Sequence, residues 1–268
     1  MTRRVMGLGW LPDLPDPRDM MYSAPLNLLQ QLPPSVDLRP ACPPVYNQGR
    51  IGSCTAQAIA GAVQFDRLKN GEKPDFVPSR LFIYYNERAL EGHVAFDSGA
   101  QLRDGIKTVA KQGVCPEPEW PYDDTPAEYD GGPFPSGARD GQKPPASCYQ
   151  DALRYTAVQY QRLSQALSQL KGCLAEGFPF SFGITVFESF WSAPGRQATV
   201  TPLPAANDTP VGGHAVLAVG YDDGKRWLVV RNSWGPDQAD HGYFYLPYEY
   251  AGDPMLARDF WTIRSIKQ

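Results

Sequence analysis

Histidine is scarce in this chain, cysteine is nearly so, and long apolar runs are missing. Three histidines in 268 residues leave little material for a metal centre, and the five cysteines include no Cys-x-x-Cys pair. Neither a zinc motif nor a dense disulfide scaffold is predicted, and no metal or cofactor is expected. No stretch approaches the roughly 18 apolar residues of a membrane span. Positive charge is not in excess: 25 Lys and Arg against 29 Asp and Glu give −4 at pH 7. That balance supplies no electrostatic reason to expect nucleic acid or an anionic membrane as partner. Met1-Thr2-Arg3-Arg4 mimics the charged start of a signal peptide, but Pro12 and Asp13 break the apolar run behind it. No signal peptide is read, so export would need one already removed or another route.

Prolines (27) and glycines (25) are plentiful, which predicts many turns and extended loops. With 42% hydrophobic and 12% aromatic residues the chain can bury a large core, and its length suits one two-lobed, monomeric domain. The odd cysteine count leaves at least one thiol outside any intramolecular disulfide, and Cys54 is the natural candidate.

Cys54 ends the run Gln48-Gly49-Arg50-Ile51-Gly52-Ser53-Cys54 and opens an Ala-rich segment that reads as a buried helix to about Lys69. A thiol on the first turn of a helix meets unpaired N–H groups and the positive end of the helix dipole, which favour a thiolate and a developing oxyanion. Gln48 adds a side-chain amide donor to the same place. Far along the chain, Gly212-Gly213-His214 precedes the strand-like run Ala215–Tyr221. The turn Asp222-Asp223-Gly224 and the run Trp227–Asn232 complete a hairpin, which brings Asn232 back toward His214. Asn232 opens the tetrapeptide Asn-Ser-Trp-Gly.

The order Gln48, Cys54, His214, Asn232 resembles the papain-like cysteine proteases, and specifically a divergent bacterial or viral-type member. His214 and Asn232 lie 160 and 178 residues after Cys54, against roughly 130–150 in the family pattern, so insertions between the halves are expected. The resemblance implies an α+β, two-lobed fold with a helical lobe, a β-barrel-like lobe and the active site in the cleft between them. It also implies a cysteine-type endopeptidase, a thiol protease acting on peptide or protein substrates through a thioester. Cys54 would be the nucleophile, His214 the base, Asn232 its orienter and Gln48 an oxyanion donor, with Trp234 shielding the His–Asn hydrogen bond. Asp97-Ser98-Gly99-Ala100 resembles the family's Cys-Asn-Gly-Gly loop. By analogy Gly99 and Ala100 pair with an extended substrate, while Leu102, Gly183 and Gly213 line its binding cleft. Arg258 and Asp259 would lie near the base of the main pocket.

Pro34-Ser35-Val36-Asp37-Leu38-Arg39 resembles the family's mature opening, so residues 34–268 are read as the peptidase domain. Its helical part spans about 46–149 and its β-rich part about 150–268. Residues 1–33 are then an extension, Pro-rich but carrying Trp10, Met20, Met21 and Tyr22 as apolar anchors. This segment is too short for a long helical pro-domain and is predicted to pack on the body along or beside the cleft, as a zymogen-like cover. Further helices are read at Val77–Arg88, 102–111 and 163–176, and strands at Phe180–Val186 and His241–Leu246. Cys115 and Cys148 flank a Gly- and Pro-rich linker and could bridge; Cys42 and Cys173 read as buried thiols, His93 and His241 as surface or structural. The family disulfide beside the active site is absent, because Ile51 and Asp97 stand at its two positions; Thr55 replaces the usual Trp. Two other readings remain open: a non-protease Cys–His acyl-transfer enzyme, and a catalytically silent binding protein on this fold.

Overall fold

The run from Pro210 to Asp222 fixes the centre of the molecule. Its Ala215, Leu217 and Val219 belong to one apolar cluster, and its Val216, Ala218 and Tyr221 to another. Successive side chains of a strand point to opposite faces, so this strand is covered on both sides. The computed structural model describes residues 7–266. Its strands are β1 (Trp10–Leu11), β2 (Ser35–Asp37), β3 (Ala100–Gln101), β4 (Ala157–Arg162), β5 (Phe180–Phe187), β6 (Pro210–Asp222), β7 (Trp227–Arg231), β8 (Tyr243–Pro247) and β9 (Ala257–Ile266). Seven of them form one sheet in the order β4-β9-β5-β6-β7-β8, with β2 beside β6. Among the described residues β4 and β8 do not pair, so the expected barrel-like lobe is an open antiparallel sheet within an α+β, papain-like fold.

The helix Cys54–Lys69 is buried at every position from Cys54 to Arg67. Beside it pack the helices Arg80–Glu91 and Leu102–Gln112, whose side chains join the same apolar cluster. The first of these starts later than the sequence suggests. Ser79 caps it by accepting from the Phe82 N–H at 3.1 Å, and Pro78 lies outside in a bridge to Pro116. The predicted 163–176 helix shortens to Leu167–Ala175, because the Leu163 N–H donates to the Phe260 carbonyl at 2.8 Å and so belongs to the sheet edge. The β6–β7 hairpin forms as expected, with Leu217 opposite Arg231 and Asp222 opposite Trp227.

All five cysteines are free thiols, so Cys115 and Cys148 are not bridged, and Cys42 is half-buried rather than buried. In the extension Trp10 and Tyr22 are buried, but Met20 and Met21 are 67% and 54% exposed and do not anchor it. Polar groups do that work instead. Asp19 pairs with Arg103 at 2.6 Å and Arg162 at 3.0 Å, the Tyr22 hydroxyl donates to Glu176 at 2.6 Å, and Tyr22 and Met20 exchange backbone bonds with Arg162.

Candidate active site

Cys54 occupies the first position of its helix and is fully buried. Ser53 precedes it without capping the helix; its hydroxyl is engaged with the Tyr122 hydroxyl at 2.6 Å and accepts from Gln57 at 3.1 Å. Tyr122 also donates to the Gln48 carbonyl at 2.9 Å, tying both ends of the Gln48–Cys54 loop to one side chain. The loop is held from the other side by Asp97. Its buried carboxylate accepts from the Gly52 N–H at 2.9 and 3.1 Å and from the Tyr84 hydroxyl at 2.5 Å. A hydrogen-bonded carboxylate therefore joins the two loops that a disulfide would join elsewhere. Thr55 donates to Glu87 at 2.5 Å, and full burial pushes the Glu87 carboxyl well above its ordinary range.

His214 and Asn232 meet as the hairpin requires: His214 Nε2 lies 2.8 Å from Asn232 Oδ1. The Ser233 backbone N–H also donates to Oδ1 at 2.8 Å, and a backbone N–H can only donate. Oδ1 is thus an acceptor for both, which places the imidazole proton on Nε2 and leaves Nδ1 as the basic nitrogen. Asn232 Nδ2 donates to Gln238 at 2.8 Å, and Gln238 in turn donates to the Arg196 carbonyl. Trp234 stacks on the imidazole with ring centroids 4.7 Å apart and planes 27° from parallel, and Trp191 meets Trp234 edge-on. Nδ1 is buried without a hydrogen-bond partner among the described residues. Burial lowers the His214 pKa to about 4, opposed by the Asn232 bond, so the imidazole is neutral here.

Gln48 joins the two halves. Its backbone N–H donates to the Ser233 carbonyl at 2.8 Å, and its Oε1 accepts from the Ser233 hydroxyl at 2.6 Å. That leaves Nε2 to donate to two carbonyls, Ile51 at 3.0 Å and Gly7 at 2.7 Å. Gly7 belongs to the extension, which continues past Gly99, Ala100, Gly183 and Gly213. The Ala100 N–H donates to the Gly9 carbonyl at 2.8 Å, and β1 pairs with β3 in parallel, Trp10 opposite Ala100. Gly9 passes so close that a Cβ on it would lie 1.7 Å from the Gly52 carbonyl oxygen. Trp10 lies on Gly183 and Gly213: added Cβ atoms there would come 1.9 Å from its Cε2 and 2.7 Å from its Cε3. Leu102 is fully buried in the same apolar cluster as Trp10.

Asp13 continues the segment between Arg103 and the last strand. It accepts from the Trp261 indole at 2.8 Å and the Arg103 N–H at 3.1 Å, while its own N–H donates to Asp259 at 2.8 Å. Burial and the Asp259 carboxylate raise its pKa to about 6. Asp259 also pairs with Arg162 at 2.8 Å, whereas Arg258 turns outward to the Pro254 carbonyl. The sequence reading missed Gln238, Tyr122 and the positive role of Asp97. For Asp97 the signal was present, since a carboxylate at a disulfide position needs its own donors.

A model of the papain family of cysteine proteases matches residues 32–258 of the chain. A peptidase C1-like protein of Acanthamoeba polyphaga mimivirus, itself uncharacterized, is 37% identical over 96% of this chain and 86% of its own length. Cathepsin B-like CP3 of Giardia intestinalis is 31% identical over 80% of this chain and 69% of its own. Among solved structures, xylellain, a cysteine protease from Xylella fastidiosa, superposes with a TM-score of 0.93 at 51% identity, covering 100% of this chain and 98% of its own. The helix-borne cysteine, the His–Asn pair under a tryptophan and these similarities agree, and the chain belongs to the papain family of cysteine proteases.

Proposed function

We propose that this cysteine protease is an endopeptidase whose chemistry is carried by Cys54, His214, Asn232 and Gln48, and that residues 1–33 hold it latent. The observation that carries the reading is the Gln48 amide, whose Nε2 already donates to a peptide carbonyl, that of Gly7. In turnover the substrate carbonyl takes that place. His214 Nδ1 accepts the Cys54 proton, and the sulfur adds to the carbonyl carbon while Gln48 Nε2 and the Cys54 N–H stabilise the oxyanion. Collapse expels the amine, which receives the proton from His214, and leaves a thioester on Cys54. Water, giving its proton to His214, then hydrolyses the thioester to the acid and the free thiol. Asn232 keeps Nδ1 directed to this work by holding Nε2–H.

Gly99, Ala100, Leu102, Gly183 and Gly213 form the substrate-binding cleft in this reading, and Trp234 shields the His214–Asn232 bond. The extension competes for the same positions, and its tether raises its effective concentration to roughly millimolar. The test is active-site labelling with an epoxide inhibitor followed by peptide turnover. Labelling at Cys54 but not at Cys42 or Cys173, and loss of turnover in Cys54→Ala with a nearly unchanged melting temperature, are expected. Retained peptidase activity in Cys54→Ala would refute the assignment; labelling with acyl transfer but no hydrolysis would point to the transferase alternative.

A further inference from the structure

Away from the cleft, Cys115, Glu119 and Cys148 converge where the chain enters the stretch 116–147 and where it leaves it. One sulfur from each cysteine and a Glu119 carboxylate oxygen all lie within 4.8 Å of one another. Cys115 and Cys148 are 0% and 1% exposed, while Glu119 reaches the surface. The Cys148 thiol approaches the Glu119 carbonyl at 3.5 Å. The surrounding backbone is fixed. The Ser79 N–H donates to the Cys115 carbonyl at 2.8 Å, and Tyr149, next to Cys148, packs on Phe82 with ring centroids 4.8 Å apart.

We propose that Cys115, Cys148 and Glu119 form a binding site for a thiophilic divalent cation, zinc being the best match, with solvent in the fourth position. Two sulfurs and one carboxylate suit the borderline softness of zinc, and the exposed edge at Glu119 leaves room for the fourth, open ligand. On binding, each thiol gives its proton to solvent as its sulfur–metal bond forms, and Glu119 coordinates as the carboxylate. A disulfide would use the same sulfurs, but it would need an external oxidant and would leave Glu119 without a part. The metal would pin both ends of the 116–147 excursion, which includes Tyr122.

The experiment uses the full-length Cys54→Ala chain, purified reduced and metal-free, so that the active-site thiol does not contribute. Titration with Zn²⁺ against a chromogenic chelator, and with Cd²⁺ followed by its thiolate charge-transfer band, should show one equivalent bound. At a free zinc concentration about 100-fold above Kd the melting temperature should rise by about 5–10 °C. Cys148→Ser and Cys115→Ser should abolish the band, and surface Glu119→Gln should weaken zinc at least tenfold, while Cys42→Ser and Cys173→Ser leave it unchanged. Metal-free melting curves verify that each variant is folded. Glu119→Gln, with its surface location, keeps the test intact even if a buried cysteine variant does not fold. No binding to the reduced chain, binding indifferent to both Glu119→Gln and Cys148→Ser, or a Cys115–Cys148 disulfide found by peptide mass mapping in place of titratable thiols would overturn the proposal.

Discussion

Replacing Trp10 by alanine tests the latent cover most sharply. The side chain is 3% exposed and fills the space above Gly183 and Gly213 where side chains are missing. A tryptophan buries about 150–250 Å², which at about 25 cal/mol per Å² corresponds to about 4–6 kcal/mol. Truncations of buried aromatic residues cost a similar amount, about 3–5 kcal/mol. In the proposed reading this cost falls on docking of the segment. Taking the lower range, the docked-to-released ratio falls roughly 100- to 4,000-fold.

The assay is the second-order rate of Cys54 labelling by an epoxide inhibitor in the full-length chain, alongside kcat/KM on a short fluorogenic peptide. If the parent is mostly docked, Trp10→Ala accelerates both, up to the ceiling set by a chain lacking residues 1–33. A folded Trp10→Ala chain that labels no faster than the parent, beside a truncated chain that labels faster, would refute the energetic argument for Trp10. Equal rates in all three would refute the cover itself and leave the segment a structural brace.

The other outcomes follow from named contacts. Gln48→Ala should lower kcat by roughly 100- to 1,000-fold in the truncated chain, read from steady-state kinetics, because one oxyanion donor is lost. Asp97→Ala leaves the Gly52 N–H and the Tyr84 hydroxyl without the carboxylate, and should cost about 2–5 kcal/mol in denaturant unfolding; an unchanged midpoint would rule out the clamp. Acid should favour docking through Asp13. Its carboxyl is raised to about 6 when docked, from 3.8, so its contribution is full below 3.8 and is lost as pH rises through about 6. Inhibition of the truncated enzyme by a peptide spanning residues 7–22 should therefore tighten about tenfold between pH 7 and pH 5, and a peptide carrying Asp13→Ala should lose that dependence.

The candidate constellation of Cys54, His214 and Asn232 was legible because each of the three carries a local signature. A cysteine after Gly-Ser at a helix start, a histidine before a strand and an asparagine at the end of the returning strand need no tertiary information to be noticed. The hairpin supplied the step from His214 to Asn232. The last strand was harder to see: Arg258, Asp259 and Arg264 interrupt its apolar alternation, and Asp259 and Arg264 are accommodated by ion pairs with Arg162 and Glu176. The edge strand Ala157–Arg162 is half polar and partly exposed, with Val158 facing out, so it carries no clean hydrophobic alternation of its own. The exposure of Met20 and Met21 shows the same limit from the other side, since apolar character alone did not say which anchors the surface could receive.

In the proposed reading, latency and catalysis draw on the same few donors, and that would couple them. The Gln48 Nε2 bonded to Gly7 is the donor assigned to the oxyanion, and the Ala100 N–H bonded to Gly9 is the donor assigned to an extended substrate. Removing the Gln48 side-chain amide would therefore weaken cover and substrate together, and activity of the full-length chain would report only the difference. Trp10, Asp13 and Asp19 stand on the segment's side of these contacts, and changing them alters docking without touching the chemistry. The ion pairs of Asp19 with Arg103 and Arg162 lie on the body beyond the Gln48 and Ala100 donors, so they can hold the segment near the cleft after Gly7 and Gly9 have released their donors. Opening then need not detach the whole extension. In the proposed reading, lifting residues 7 to 11 would release the Gly7 contact of the Gln48 amide, the Gly9 contact of the Ala100 N–H and the space above Gly183 in one movement, and Trp10 would be the contact that decides how often the site is open.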